Sequence, residues 1–157
     1  MANVEYINPF IAASKRVMKD FCNIDTDMGK PYLTKTVFEG DKFVILVGIT
    51  GQLTGQVILS MSNETACNIA SHMMMGMPVN ELNDMAASAV SELANMILGN
   101  TATIFSTQGI IIDITPPSIL VGKDMTITVS DSKTICVPLT YENDYALELN
   151  IAIKSKE

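Results

Sequence analysis

The clearest pattern in the chain is a run in which polar positions recur with the period of an α-helix, over residues 80–100, NELNDMAASAVSELANMILGN. At about 100° per residue, Ser88, Glu92 and Asn95 fall on one side of that helix. Gly99-Asn100 follows as a C-terminal stop signal. The predicted polar side consists of Asp84, Ser88, Ser91, Glu92 and Asn95, and the predicted apolar side of Leu82, Met85, Ala86, Ala89, Val90, Leu93, Met96 and Ile97. A carboxylate and a carboxamide one turn apart can act together on an approaching partner, so this run is the candidate site.

A second amphipathic run predicts an opening helix over residues 8–21, NPFIAASKRVMKDF. Asn8 is suited to be its N-cap and Pro9 to be its first helical residue. The Glu-x2-Asn spacing recurs here in Glu5 and Asn8, but a proline disfavours helical geometry in the residue before it. This copy is expected to straddle the helix start and to serve in capping. The later copy lies mid-helix, where its two side chains project together.

Apolar runs of strand length flank two central helices. Three strands are predicted before those helices, over residues 30–39, 42–50 and 53–61. Glu39-Gly40-Asp41 is predicted to join the first two strands as a hairpin. Four strand-like runs follow the helices, over residues 108–115, 124–131, 133–140 and 144–154. Strict alternation from Leu147 to Ile151 predicts one solvated face for the last of them.

The other central helix is predicted over residues 63–76, with Asn63 as its cap and Gly76 at its end. The element order is then one helix, three strands, two helices and three or four strands. Strands grouped in blocks are typical of an α+β fold, here with a largely antiparallel sheet packed against long helices. A single domain over residues 1–157 is expected, because this length is sufficient for one buried core.

Composition and charge narrow the classes of partner. Hydrophobic residues make up 48% of the chain and charged residues 17%, which argues against disorder. The net charge of −7 disfavours nucleic acid and anionic membranes as partners. No apolar run reaches the length of about eighteen residues that a transmembrane helix needs, and the opening residues lack the pattern of a signal peptide. A cytoplasmic protein is expected, with neither nucleic acid nor membrane as its partner.

Residues that could perform chemistry unaided are scarce. Cys22, Cys67 and Cys136 are odd in number and widely spaced, and His72 is the single histidine. This pattern predicts reduced packing cysteines, with neither a disulfide framework nor a metal site. The chain also lacks phosphate-binding glycine loops, metalloprotease motifs and nucleophile elbows. Hydrolysis by a resident nucleophile or metal is therefore poorly supported.

A solvated surface is the ordinary interpretation of one Glu and one Asn on a helix. Ser88, Ser91 and Asn95 are nevertheless weak helix formers at positions where they cap nothing. These residues lower the helix propensity of the segment and provide no cap in return. A surface that serves a partner accounts for that choice of residues.

The run SAVSELANMILGN, which begins at Ser88, resembles the signature of the CheC/CheX/FliY chemotaxis phosphatase family. In that signature Asp or Ser, Glu and Asn stand at the spacings found here, and a proline follows further along the chain. Pro116 and Pro117, in the context IDITPPSILVGK, occupy the region of that proline, and the opening VEYINPFIAA resembles the start of CheX members. The likeness covers nearly the whole chain. CheC-like members carry two motif copies, so the one competent copy here favours the CheX-like branch.

The resemblance implies a CheC-like fold and an enzyme that hydrolyses the aspartyl phosphate of a CheY-type response regulator. Matched by motif, Glu92 pairs with a lysine in the regulator's active site and Asn95 orients the attacking water. Ser88 is a supporting polar residue. The phosphorylated regulator is then the partner and holds the Mg²⁺, so the chain needs no cofactor of its own. A homodimer joined through a continuous sheet with exchanged strands is also implied.

Two other interpretations remain open. The chain could be a non-catalytic binding module that docks a response regulator or a flagellar switch component. It could also be an α+β domain whose polar helix side has no such role. Intact Glu92 and Asn95 favour the enzyme, because an adaptor has no need of both.

Overall fold

The computed structural model describes residues 4–129 and 133–155. Within these residues, three helices and eight strands follow in this order: α1 (Val4–Cys22), β1 (Asp27–Met28), β2 (Tyr32–Thr34), β3 (Val37–Gly51), β4 (Leu53–Ser62), α2 (Asn63–Met73), α3 (Asp84–Thr107), β5 (Ile112–Ile114), β6 (Ser118–Thr126), β7 (Thr134–Tyr141) and β8 (Tyr145–Ser155). The order of blocks matches the prediction, with the two-residue strand β1 added.

All the described strands belong to one sheet, and every neighbouring pair in it is antiparallel. The main order is β1-β7-β8-β4-β3-β5. Two strands lie off this path, since β2 pairs with β7 and β6 pairs with β3. This antiparallel sheet with helices packed against it confirms the predicted α+β class.

The main core lies between the three helices and one face of the sheet. Alternate residues of β3 and β4, among them Phe43, Ile45 and Leu59, are buried there against side chains from each helix. Phe10 of α1 meets Phe105 of α3 edge to face, with ring centroids 5.7 Å apart. The ring contact joins the first helix to the last turns of α3. No helix in the described residues is both long and apolar enough to cross a membrane.

Helix α1 extends further towards the N-terminus than predicted. It includes Val4, the first described residue, and Pro9 lies inside it. An interior proline removes one backbone hydrogen bond, here to the carbonyl of Glu5, but burial of the Pro9 ring offsets part of that loss. The prediction that Asn8 caps the helix is therefore wrong. Glu5 and Asn8 both lie in α1, three residues apart, and Asn8 is exposed.

The predicted hairpin at residues 39–41 does not form, because β3 runs through it without interruption. Gly40 has a φ of +72°, and its N–H donates to Asp124 Oδ1 at 2.8 Å. These turn residues produce a register shift between β3 and β6. The predicted strand 30–39 is divided between β2 and the start of β3. The predicted strand 124–131 overlaps β6 only at residues 124–126, because pairing with β3 places the strand earlier in the chain. Residues 127–129 are not in a strand, and residues 130 and 131 lie outside the described residues.

The sheet face away from the helices is also partly buried. Asn150 of β8 is 2% exposed, and its Nδ2 donates to the Ile58 carbonyl at 2.9 Å and to Ser60 Oγ at 3.0 Å. Ile58 forms a second, smaller apolar cluster on this face with Phe38 and Val44. The prediction of one solvated face for β8 is wrong at Asn150, which is buried and bonded to the neighbouring strand β4.

Helix α3 does not end at the predicted stop signal Gly99-Asn100 but continues to Thr107. Thr101 and Phe105 lie beyond the stop signal and are fully buried. Their packing outweighs the helix propensity of glycine, which is about 1 kcal/mol less favourable than that of alanine. The chain leaves the helix at Gly109, whose φ is +80°.

A polar side chain caps the start of each central helix. Ser62 Oγ accepts from the Thr65 N–H at 3.1 Å, so the cap of α2 lies one residue before the predicted Asn63. Asn83 Oδ1 accepts from the Ala86 N–H at 2.8 Å at the start of α3. These bonds satisfy backbone donors that have no partner within the helix.

Replacing Asn83 with alanine is expected to lower the free energy of unfolding by about 1 kcal/mol, because the Ala86 N–H loses its acceptor. In a protein of this size the melting temperature should fall by about 2–4 °C. Asn83→Ser keeps an oxygen acceptor and should melt close to the wild type. Thermal denaturation followed by circular dichroism measures both variants. Equal losses in the two would show that the cap does not stabilise α3.

Candidate active site

The buried side of α3 orients the candidate site. Its buried residues recur at helical spacing along one side: Ala86, Val90, Leu93, Ala94, Ile97, Leu98, Thr101 and Phe105. The apolar members of this set belong to the main core between the helices and the sheet. Because this side is held in the core, the opposite side of α3 faces outwards.

Ser88, Glu92 and Asn95 are exposed on that outward side, which confirms their predicted placement. Helix geometry separates Ser88 from Glu92 by about 6 Å along the axis, and Glu92 from Asn95 by about 4.5 Å. Within the described residues, none of these three side chains makes a hydrogen bond or an ion pair. The carboxylate and the carboxamide therefore present their full hydrogen-bonding capacity to a partner.

The exposed side of α3 also includes residues that are not polar. Met85 is 65% exposed, so its assignment to the apolar side is wrong. Seven residues fall about 20° short of two full turns, which places Met85 almost in line with Glu92. Gly99, seven residues after Glu92, falls on the same side for the same reason. In chain order this side of α3 carries Met85, Ser88, Glu92, Asn95 and Gly99, of which Gly99 is half-buried and the other four are exposed.

Glu92 has no cationic partner among the described residues. The ion pairs found there are Arg16–Asp20, Lys19–Asp25 and His72–Glu142. An exposed and unpaired carboxylate can accept a charge-assisted hydrogen bond from a lysine or arginine of another protein. Such binding would break no ion pair of Glu92 within the part of the chain that the structure describes.

The thiols and the histidine offer no activated nucleophile. Burial raises the pKa of the Cys22 and Cys136 thiols to about 11, and burial with the nearby Glu81 carboxylate also raises the pKa of Cys67. All three thiols therefore stay protonated at neutral pH. His72 Nε2 lies 3.7 Å from Glu142 Oε1, near the end of α2. Within the described residues, no three His, Cys, Asp or Glu side chains gather where they could hold a metal ion. The chemistry available on α3 is therefore that of hydrogen bonding and charge.

A cleft of about 580 Å³ lies beside α2, where no sequence motif predicted a site. It is lined by Asn63, Glu64, Cys67, Asn68, Ser71, Val79, Asn80, Glu81, Leu82 and Tyr145. These residues come from α2, the connection to α3 and the start of β8, so no local motif marked them. Tyr141 donates its hydroxyl proton to Asn68 Oδ1 at 2.7 Å near this cleft. The lining includes no residue of α3, so the cleft is a separate feature from the exposed side.

Pro116 and Pro117 connect β5 to β6 and so belong to the sheet edge. The residue before them, Thr115, makes two hydrogen bonds to Gly48 of β3. Its Oγ1 accepts from the Gly48 N–H at 2.8 Å, and its own N–H donates to the Gly48 carbonyl at 3.0 Å. The two prolines therefore follow a segment that is fixed to β3.

Comparison with known proteins identifies the family. Residues 43–140 match the family model described as chemotaxis phosphatase CheX. The chain belongs to the CheX family. The matched segment runs from within β3 to within β7 and includes all of α3. The resemblance drawn from the motif is confirmed, and so is the expectation of a phosphatase.

Individual CheX and CheC-like proteins are similar over nearly their whole length. The CheY-P phosphatase CheX of Thermotoga maritima is 33% identical over 149 residues, covering 95% of this chain and 96% of that protein. A CheC-like superfamily protein from Shewanella sp. PV-4 has a TM-score of 0.87 at 26% identity, covering 98% of this chain and 100% of that one. A chain of the CheX–CheY–BeF3–Mg²⁺ complex from Borrelia burgdorferi has a TM-score of 0.80 at 31% identity, with coverage of 98% and 100%. The CheC-like fold is therefore confirmed.

Proposed function

We propose that this protein hydrolyses the aspartyl phosphate of a CheY-type response regulator with the exposed side of α3. The observation that carries the proposal is the pair Glu92 and Asn95, which lie one turn apart, exposed and without a bonding partner among the described residues. Support comes from the Thermotoga maritima relative, which is a CheY-P phosphatase. Further support comes from the Borrelia burgdorferi structure, in which CheX and CheY form a complex.

In the proposed step, the oxygen of a water molecule attacks phosphorus while the bond between phosphorus and the aspartyl oxygen breaks. Inorganic phosphate keeps the protons of the water, and the aspartate leaves as a free carboxylate. The Asn95 amide orients the water, because its oxygen accepts and its NH₂ group donates hydrogen bonds. A neutral amide adds no negative charge beside the phosphoryl oxygens. Positioning is most of what this class of phosphoryl transfer requires.

Glu92 is proposed to pair with the lysine of the regulator's active site. Such a charge-assisted contact fixes the regulator about one helical turn from Asn95, where the water is needed. Ser88, one turn before Glu92, is proposed as a supporting polar residue whose hydroxyl can donate or accept. The protein supplies no cofactor in this scheme. The Mg²⁺ is the regulator's own, in keeping with the components of the Borrelia burgdorferi complex.

We also infer that residues 1–157 form one phosphatase domain. Side chains from α1 near the N-terminus and from β8 near the C-terminus, such as Phe10 and Ile151, belong to the same core. A chain whose two ends share one core is expected to unfold in a single transition.

Asn95→Ala is expected to abolish the accelerated phosphoryl decay, because the water loses its orienting amide. The rate of decay that the protein adds should fall by about a hundredfold or more. The measurement is the decay of phosphorylated regulator at increasing concentrations of the protein. Asn100→Ala is the matched control, since Asn100 Nδ2 already donates to the Met96 carbonyl at 2.9 Å and is not free for a partner. This control should keep its activity.

The stability of Asn95→Ala should equal or exceed that of the wild type, because alanine is the better helix former. Circular dichroism checks this point. Undiminished decay in the variant would contradict the role of Asn95. A wild-type protein that binds the regulator without accelerating decay would instead be a non-catalytic binding module.

Glu92→Ala should weaken docking as well as turnover, because it removes one partner of a charge-assisted contact worth about 1.5–3 kcal/mol. The dissociation constant for beryllofluoride-activated regulator should rise by about 10- to 100-fold. Titration calorimetry measures it, and the difference should shrink at high salt if the pair is partly solvated. Glu64→Ala makes the same charge change on α2 and should bind normally. Unchanged affinity in Glu92→Ala would exclude the lysine pairing.

We propose further that two copies associate through strand β6. This strand pairs only with β3 among the described strands, so its second edge is open. Ile119 and Val121 on it are 41% and 57% exposed. An open edge with apolar side chains is suited to pairing with another strand. Strand exchange between copies, as the family resemblance implies, needs an edge of this kind.

Val121→Lys is expected to yield particles with the mass of one chain, 17.0 kDa, where the wild type gives twice that mass. A lysine on an edge strand opposes pairing with a second strand. Size-exclusion chromatography with light scattering measures the mass. Ile111→Lys is the matched control, because Ile111 is 58% exposed and lies outside β6. A wild-type protein of single-chain mass would exclude the dimer.

A further inference from the structure

Gly99 occupies the position on α3 directly C-terminal to the candidate site. It lies four residues after Asn95 and seven after Glu92, so it shares their exposed side. Its backbone is helical, in the interior of a helix that continues to Thr107. A Cβ atom built on Gly99 would meet no other atom within 4 Å outside the local helix backbone. The space above it is open.

Every other glycine of the chain has a reason within the chain itself. One group has positive φ values, which side chains disfavour: Gly40, Gly51, Gly55, Gly76 and Gly109. In a second group, a Cβ would lie within 3.3 Å of a neighbouring atom: Gly29, Gly48 and Gly122. Gly99 belongs to neither group, and it does not end the helix. Glycine weakens a helix interior, so its presence here calls for a reason outside this chain.

We propose that Gly99 is a positioning residue that leaves room for the regulator's backbone beside Asn95. This inference rests on the proposed function. The Asn95 side chain is short, so a water held by its amide can reach phosphorus only if the regulator comes close to the surface of α3. Residues four apart on a helix have Cβ atoms about 5–6 Å from each other. Any side chain at position 99 would therefore stand beside the amide, in the path of the regulator segment that carries the phosphorylated aspartate.

A methyl group at position 99 is accommodated in the free protein. Among the described residues, no side chain other than those of the two chain neighbours lies within 4 Å of the added Cβ, so the Asn95 side chain does not have to move. Gly99→Ala should raise the melting temperature by about 2–4 °C, because alanine favours the helix. Stability and activity are thus expected to change in opposite directions, an outcome that a purely structural role would not produce.

The test compares Gly99→Ala and Gly99→Leu with the wild type in the phosphoryl-decay assay. We expect kcat/KM to fall by about tenfold for alanine and about a hundredfold for leucine, since small displacements of reacting groups have effects of this size. The dissociation constant for beryllofluoride-activated regulator should rise in the same order. Asp20→Ala is the control for added stability, because it removes a weak helix former with an unfavourable charge from the last turn of α1. The exposed ion pair with Arg16 that it breaks contributes little. This variant should melt higher than the wild type and keep its activity.

Three results would overturn the proposal. The first is a Gly99→Leu protein whose kcat/KM stays within about twofold of the wild type. The second is a lower melting temperature for Gly99→Ala, which would show a structural need for the glycine. The third is a change in the mass of the particle, which would assign the space to a second copy of the chain. Wild type and Asn95→Ala in the same assay separate these outcomes from failure of the proposed function, in which the wild type itself does not accelerate decay.

Discussion

The burial of one side of α3 is the constraint on which both the core and the candidate site depend. Leu93 and Ile97 are 2% and 1% exposed, and Phe105 contacts the ring of Phe10 on α1. These side chains fix the rotation of α3 about its axis. A rotation by one residue, about 100°, would carry Glu92 towards the core, where an unpaired carboxylate is strongly disfavoured. The core therefore orients the site without touching its polar residues.

The residues on the exposed side of α3 lower the stability of the helix. Asn95, Ser88 and Gly99 are poorer helix formers than alanine, and none of their side-chain positions is used for internal bonding in the described structure. Packing of the opposite side tolerates this loss. A surface that is locally unfavourable and internally unused is typical of a functional one, because function and stability place different demands on the same residues.

Two local signals failed because long-range contacts competed with them. Gly40 has turn chemistry, but β3 pairs with β6 on both sides of it, at Phe38 and at Asp41, and the strand continues through it. Gly99 has stop chemistry, but the burial of Phe105 extends α3 beyond it. Met85 was misplaced for a different reason. It is apolar, but it lies only about 20° from Glu92 around the helix, and so it faces outwards with that residue.

The sequence by itself determined the α+β order of elements and the common side of Ser88, Glu92 and Asn95. Both follow from hydrophobic periodicity, which is a local property of the chain. Only the tertiary structure decided where α3 ends, that β6 forms an open edge beside β3, and that the space above Gly99 is empty. Each of these features depends on which residues, distant in sequence, pack or pair at that position in the fold. Burial and strand pairing between remote segments outweigh local propensities of about 1 kcal/mol.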